Sequence, residues 1–183
     1  MKFLKKVLML IVALAGILLI IALFVKKDFE ISRTIAINKP KSEVFEYLKY
    51  LKNQSNFTVW QEMDPNVKQN YKGTDGTVGA VYSWNSKIED VGAGEQEITK
   101  IKDNNRIDFE VRFTKPWESV GQAYFITEDI DNSTDKTKVT WGFSGRSPWP
   151  LNLFLLFKDM EIELGPDLEK GLNNLKVILE TKE

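Results

Sequence analysis

A chain of 183 residues with 43% hydrophobic content and a net charge of −1 has material for one domain with its own core plus an appendage. It contains no cysteine and no histidine, which excludes disulfides, thiolate or ordinary zinc centres, a lipidated cysteine, and catalysis by Ser-His-Asp or Cys-His groups. The first 27 residues carry five lysines and no acid, leaving 20 basic against 26 acidic groups and a net −6 from Asp28 onward, a sign poorly suited to nucleic-acid phosphates or anionic lipid surfaces.

Val7 to Val25 is a run of nineteen residues without a charge, flanked by Lys2, Lys5 and Lys6 on one side and Lys26 and Lys27 on the other. That is long enough to cross a hydrocarbon core of about 30 Å, and residues 1–27 are therefore expected to be a transmembrane anchor. A cleaved signal peptide has a shorter apolar region, of about 7 to 15 residues, ending at small residues, and Leu23-Phe24-Val25-Lys26 is a poor cleavage site. Three lysines and the amino terminus before the run, against two lysines after it, favour a single pass with the domain on the extracytoplasmic side. The domain is expected to occupy residues 28–183. Only Lys26, Lys27 and Asp28 separate it from the apolar run, a reach of about 10 Å, so it should sit on the bilayer surface.

Phe29 to Asn38 alternates with Ile31, Ile35 and Ile37 and predicts a strand closed by Asn38-Lys39-Pro40. Ser42 is placed to cap the helix that follows, which carries Val44, Phe45, Leu48 and Leu51 on one face and ends in the polar run Lys52 to Ser55. A stretch with Phe57, Trp60 and Met63 leads to a turn at Asp64-Pro65. Gly73, Gly76 and Gly79 are expected to be turn residues: no Gly-Lys-Ser/Thr follows, and a strand rather than a helix comes next, so the spacing does not make a nucleotide cradle.

Val78 to Trp84, Gly94 to Lys102, Arg106 to Thr114, Ser119 to Ile130 and Lys138 to Arg146 are expected to form an antiparallel meander, joined by turns such as Asp103-Asn104-Asn105 and Asp131-Asn132-Ser133. The third strand places Ile107, Phe109, Val111 and Phe113 on one face and Asp108, Glu110 and Arg112 on the other; Val139, Trp141 and Phe143 repeat the pattern on the last strand. One apolar face and one wet face imply a single helical layer on one side of the sheet.

Pro150 to Glu183 is the longest amphipathic helical segment, with Leu153, Phe157, Met160, Leu164, Leu168, Leu172, Leu175 and Leu179 along one stripe. Asp159, Glu163, Asp167 and Lys170 are expected to face water. Gly165-Pro166 should bring either a kink or a second helix with Pro166 in its first turn. The consecutive apolar residues Leu153 to Phe157, beside Pro148-Trp149-Pro150, exceed what one buried helix face needs. They are candidates for an exposed, membrane-facing rim, or else for completing the core.

Several local motifs occur in an order that resembles the SRPBCC superfamily. They are Ile35-x-Ile37-Asn38-x-Pro40 with Val44-Phe45; Trp60 with Asp64-Pro65; Gly76-x-x-Gly79-Ala80-x-Tyr82-x-Trp84; Thr137 to Trp141; and Gly165-Pro166-Asp167-x-Glu169-Lys170-Gly171-Leu172-x-x-Leu175. The chain from about Phe29 is similar to START-like and Bet v 1-like helix-grip proteins, and to the bacterial branch named after polyketide cyclases and dehydrases. That resemblance implies an α+β fold, a curved antiparallel sheet around the long C-terminal helix with a hydrophobic cavity between them. It implies no reaction, because one fold hosts many functions, and no catalytic motif carries over.

The residues expected to line such a cavity are Trp84, Phe109, Val111, Phe113, Trp141, Phe143, Phe157, Met160, Leu164 and Leu168. Trp60, Trp117 and Trp149 are further candidates, each with an ordinary place in core or rim as the alternative. Asp28, Asp90, Glu118 and Arg146 are candidates for a charged group turned inward, which would be a perturbed and useful one. The acidic series Asp159, Glu161, Glu163 and Asp167 is expected to be a solvated helix face rather than a cation site, since hard-cation sites draw ligands from a loop. Neither a metal nor a cofactor is expected. The triplets Asn53-Gln54-Ser55, Asn56-Phe57-Thr58 and Asn132-Ser133-Thr134 match the glycosylation pattern but have no compositional support. The leading expectation is a membrane-anchored protein that binds a hydrophobic small molecule or lipid. The alternatives are a cyclase- or dehydratase-like enzyme using a buried carboxylate or Tyr, and a structural or stress-related domain without ligand.

Overall fold

The alternation of apolar and polar residues gives each strand one dry face, and seven such strands bond into one antiparallel sheet in the computed structural model, which describes residues 2–131 and 134–181. They are β1 (Asp28–Ile37), β2 (Lys68–Lys72), β3 (Val81–Asn85), β4 (Ala93–Lys102), β5 (Arg106–Lys115), β6 (Ser119–Asp129) and β7 (Thr137–Arg146). The order across the sheet is β1-β7-β6-β5-β4-β3-β2, so β2 to β7 form an unbroken meander and β1 closes it by pairing with β7, from Asp28 opposite Arg146 to Ile37 opposite Thr137. Three short helices, α2 (Lys41–Lys49), α3 (Leu51–Gln54) and α4 (Val59–Met63), carry the chain from one edge of the sheet to the other. The α+β architecture expected from the sequence is the observed one.

The dry face holds the core: Ile98, Ile107, Phe109, Phe125 and Val139 on the strands meet Leu168, Leu172, Leu175 and Leu179 of the last helix, α5 (Met160–Thr181). On the wet face, Arg112 draws in Glu95, Glu97 and Glu110 at 2.8, 2.8 and 2.5 Å across three neighbouring strand positions. Asn104 and Asp131 turn their chains with φ of 53° and 51°, conformations that short polar side chains tolerate. Asn132 and Ser133, and with them part of the third Asn-x-Ser/Thr triplet, lie outside the described residues.

Three local expectations in the sheet and the first domain helix are corrected. The meander has six strands, because β2 also pairs, with β3. Its sequence Lys-Gln-Asn-Tyr-Lys shows no apolar alternation because it is an edge strand with one half-buried residue, Tyr71, and lysines at both ends, a composition that discourages further pairing. β3 begins at Val81 rather than Val78, since Gly79 takes φ 88° and Val78 is exposed. Gly73 and Gly76 also take positive φ, as their turn assignment expects. Ser42 does not cap α2, which starts at Lys41 behind Pro40, whose carbonyl accepts from the N–H groups of Glu43 and Val44.

At the C-terminus, Leu151–Leu156 forms a 3₁₀ helix, and α5 starts afresh at Met160, capped by Asp159, whose Oδ1 accepts from the Glu161 N–H at 2.9 Å. Pro166 lies inside α5 without starting a second helix; near the N-terminal end it removes one backbone donor, and the helix runs on to Thr181. Asp167 is half-buried instead of facing water, and burial raises its carboxyl above the usual range.

The N-terminal helix α1 (Lys2–Phe24) has 23 residues and is long and apolar enough to cross a membrane; all but Ala22 and Gly16 of its described residues are exposed. Its C-terminal carbonyls have no helical partners, and the domain supplies them. Asn152, fully buried, donates from Nδ2 to the carbonyls of Ala22 at 2.7 Å and Val25 at 3.0 Å, and Trp149 Nε1 donates to Leu19 at 3.2 Å.

Candidate functional site: an aromatic-walled cavity under the C-terminal helix

Inward-facing residues of a curved sheet cannot all reach the helix that covers it, and the space left over here is a cavity of about 460 Å³. That lies within the range of small-molecule sites. The strands supply its floor. Rings follow one another across the sheet from β3 to β1: Tyr82 and Trp84 at 5.9 Å between centroids, Trp84 and Phe113 at 5.8 Å, Phe113 and Phe143 at 6.4 Å, Phe143 and Phe29 at 6.2 Å. A second group, Phe57, Phe125 and Trp60, packs around Trp141 with centroids 5.2 to 6.1 Å away. Offset and edge-on contacts of this kind hold the wall rigid as well as apolar.

Of the ten residues expected at the cavity, Trp84, Phe109, Val111, Phe113, Trp141, Phe143, Met160, Leu164 and Leu168 lie on its wall. Phe157 does not: it is 81% exposed. Its placement assumed one continuous helix from Pro150. The 3₁₀ turn and the break before Met160 reset the phase, so Phe157 points to solvent and Phe154 and Leu155 take its place at the cavity. Trp60 and Trp117 also line it, whereas Trp149 belongs to the α1 contact.

Among the described residues, charged groups reach the cavity only at exposed positions. Asp90 and Arg146 border it with Lys115, and Arg146 pairs with Asp28 at 3.2 Å in solvent; Glu118 does not border it. Trp117, Val120 and Phe154 are lining residues that are also exposed, and they mark where the cavity opens, next to the 3₁₀ turn that holds α1.

The polar groups inside are uncharged and were missed from the sequence. Gln96 stands directly across from Tyr82 in the β3–β4 register, and its Nε2 donates to Oε1 of Gln54 at 2.8 Å. Gln54 sits at the end of α3, whose first turn is pinned by Asp75: Oδ1 and Oδ2 accept from the backbone of Leu51 and Lys52 at 2.8 and 3.2 Å. Burial pushes the Tyr82 hydroxyl up to about 12, with Tyr71 adding to the shift, so it stays protonated at any physiological pH. The only advance sign was the even spacing of Tyr82 and Trp84, which puts both on one strand face. Gln54 lay in a polar run that ends a helix, a place where glutamine is ordinarily solvated.

No protein-family model matches the sequence, and no curated protein matches it. Solved structures do match. The chain is similar to the Aha1 dimer of Colwellia psychrerythraea, with a TM-score of 0.57 at 16% identity over 85% of this chain and 98% of that one. It is similar to the di-domain ARO/CYC BexL from the BE-7585A biosynthetic pathway, with a TM-score of 0.60 at 12% identity over 85% of this chain and 51% of that one. It is also similar to Ara h 8.0201, with a TM-score of 0.55 at 10% identity over 85% and 99% of the two chains. The domain therefore has the helix-grip fold of Bet v 1-like and polyketide cyclase-like structures. Identities this low carry the fold and nothing more.

Proposed function

We propose that this protein is a membrane-anchored binding protein that holds a hydrophobic small molecule or lipid between its sheet and α5, with α1 as the anchor. The observation that supports it most is the cavity itself: about 460 Å³, floored by aromatic rings, with every charged lining residue at an exposed position. A domain that had only to be stable would fill that volume, because voids forfeit packing energy. The opening supports a route of entry. Trp117, Val120 and Phe154 expose apolar surface there, and Leu151, Leu156 and Phe157 continue it along the turn that grips the end of α1. With α1 in a bilayer, this rim lies at the interface, where tryptophan is favoured, and a lipid-like molecule passes into the cavity without crossing water. The lysine distribution around α1 favours the extracytoplasmic side for the domain.

The test is native mass spectrometry of the full chain purified from its own host membranes in a neutral detergent, beside an Ala123→Trp variant that fills the cavity. Ala123 borders the cavity on β6. The expected result is a discrete small-molecule adduct on the parent that is absent from the variant. Adducts equal in both, or none on either, count against the reading.

A further inference from the structure

The wall of the cavity carries an unfinished hydrogen-bond network. Gln54 is only 8% exposed, its Oε1 accepts from Gln96, and its Nε2 is buried with no partner among the described residues. A buried amide donor without a partner keeps its desolvation cost uncompensated, so such groups are normally met by water or by a ligand. The Tyr82 hydroxyl, across from Gln96 on the same sheet face, makes no hydrogen bond to the described residues. Gln54 from α3 and Tyr82 from β3 thus both border the cavity beside Gln96, which bonds the one and stands across from the other. The register places Tyr82 and Gln96 one inward-facing residue deeper than Trp84 and Phe113, about 7 Å of strand further from the opening.

From this we infer, resting on the binding reading above, that the ligand is a neutral amphiphile carrying a hydroxyl or carbonyl oxygen, and that this oxygen is held by Gln54 and Tyr82. The chemistry of the cluster decides against an ionised head group. None of its three members is charged, and the cationic lining residues Lys115 and Arg146 are exposed. A carboxylate or phosphate brought to Gln54 would lose its hydration without gaining a counter-ion. A hydroxyl meets the cluster best. Its oxygen accepts from Gln54, its hydrogen donates to the Tyr82 oxygen, and the aromatic floor takes the apolar body. A plain hydrocarbon would fit the floor and leave both groups unmet, which is how a polar site rejects a ligand that lacks the matching atom.

Three photoactivatable sixteen-carbon probes with the diazirine at one chain position, an alcohol, a hydrocarbon and a carboxylate, test this on the full chain in phosphatidylcholine nanodiscs. The reading is the share of label on the peptides of β5 and β7 relative to all label on the chain. One neutral hydrogen bond retained in a dry site predicts a share for the alcohol about 3- to 10-fold above that of the hydrocarbon, with the carboxylate lowest. Tyr82→Phe, which removes one oxygen and little volume, and Gln54→Leu should each lower the alcohol's share toward the hydrocarbon's. An unchanged hydrocarbon share shows that the cavity is intact in the variants. Equal shares for alcohol and hydrocarbon in the unmodified chain, or a carboxylate that labels best, overturn the inference while leaving the cavity a binding site. Absence of cavity label from all three probes overturns the binding reading and the inference with it.

Discussion

At the scale of single residues, Tyr82 ties the site to a measurable pH dependence. Its folded pKa of about 12 lies above the value of about 10 for an exposed tyrosine. A group raised in this way favours the folded state while protonated, so its contribution is complete below pH 10 and is lost as the pH rises from 10 toward 12. Stability of the full chain should therefore fall across that interval, and Tyr82→Phe should fall less. Urea titrations at pH 9 and 11.5 on both proteins measure the difference, and identical slopes would place the hydroxyl in water. Gly171 gives a second residue-scale prediction. A Cβ there would sit 2.6 Å from the Trp141 ring and 3.4 Å from the Phe57 carbonyl, both fixed in the core. Alanine is the better helix former by about 1 kcal/mol, but overpacking a closed contact costs about 1 to 3 kcal/mol. Gly171→Ala is thus expected to destabilise in chemical denaturation, against its helix propensity. Gly165 makes the opposite case, because the neighbour there is the movable end of Arg33, which reaches past the helix to Glu161 at 2.5 Å.

Among the elements, α5 carries the largest share of the helix-to-sheet contact. Leu172 and Leu175 are fully buried, at 1% and 0% exposure, whereas Val177, two residues further on, is 61% exposed. Leu172→Ala or Leu175→Ala should each cost about 2 to 5 kcal/mol in equilibrium unfolding, and Val177→Ala less than about 0.5. The 3₁₀ turn acts on the other end of the molecule. Through Asn152 it meets the carbonyl of Ala22 in the last turn of α1 and that of Val25 just beyond it, and so fixes that helix to the domain. Asn152→Ala should loosen the junction, leaving the buried carbonyl of Ala22 without this donor at about 1 to 3 kcal/mol. The expected outcome is faster tryptic cleavage after Lys26 and Lys27, the latter otherwise held by the bond from Ser147 N–H to its carbonyl at 2.8 Å. Cleavage at the parental rate would mean that Asn152 does not hold the junction.

For the molecule as a whole, α1 is fixed to the domain at its C-terminal end, so that, if α1 is the membrane anchor proposed above, it also orients the domain. A domain on a free tether samples all orientations, whereas on the proposed reading one held at Leu19, Ala22 and Val25 would present a single side to the bilayer, the side of Trp149 and the 3₁₀ turn next to the cavity opening. If α1 is the anchor, the chain should stay with the membrane fraction after carbonate washing. A mature soluble form beginning near Lys26 would instead identify a removed signal.

Much of this architecture was legible in the residues. Period-two alternation on β1, β5 and β7 and the leucine spacing on α5 report burial directly, since each apolar side chain must leave water on its own account. The uncharged run of α1 is legible for the same reason. What stayed hidden depended on neighbours distant in the chain. β2 is a strand only because β3 offers it an edge, and Phe157 faces solvent only because the turn before α5 shifts the helical phase. Gln54 is buried only because Asp75, 21 positions further on, pins α3 against the sheet beside Gln96. Local pattern encodes which face is dry. Tertiary packing alone decided where the dry faces fail to meet, and which uncharged polar groups stand in the space between them, because a polar side chain shows no preference for burial until something has closed over it.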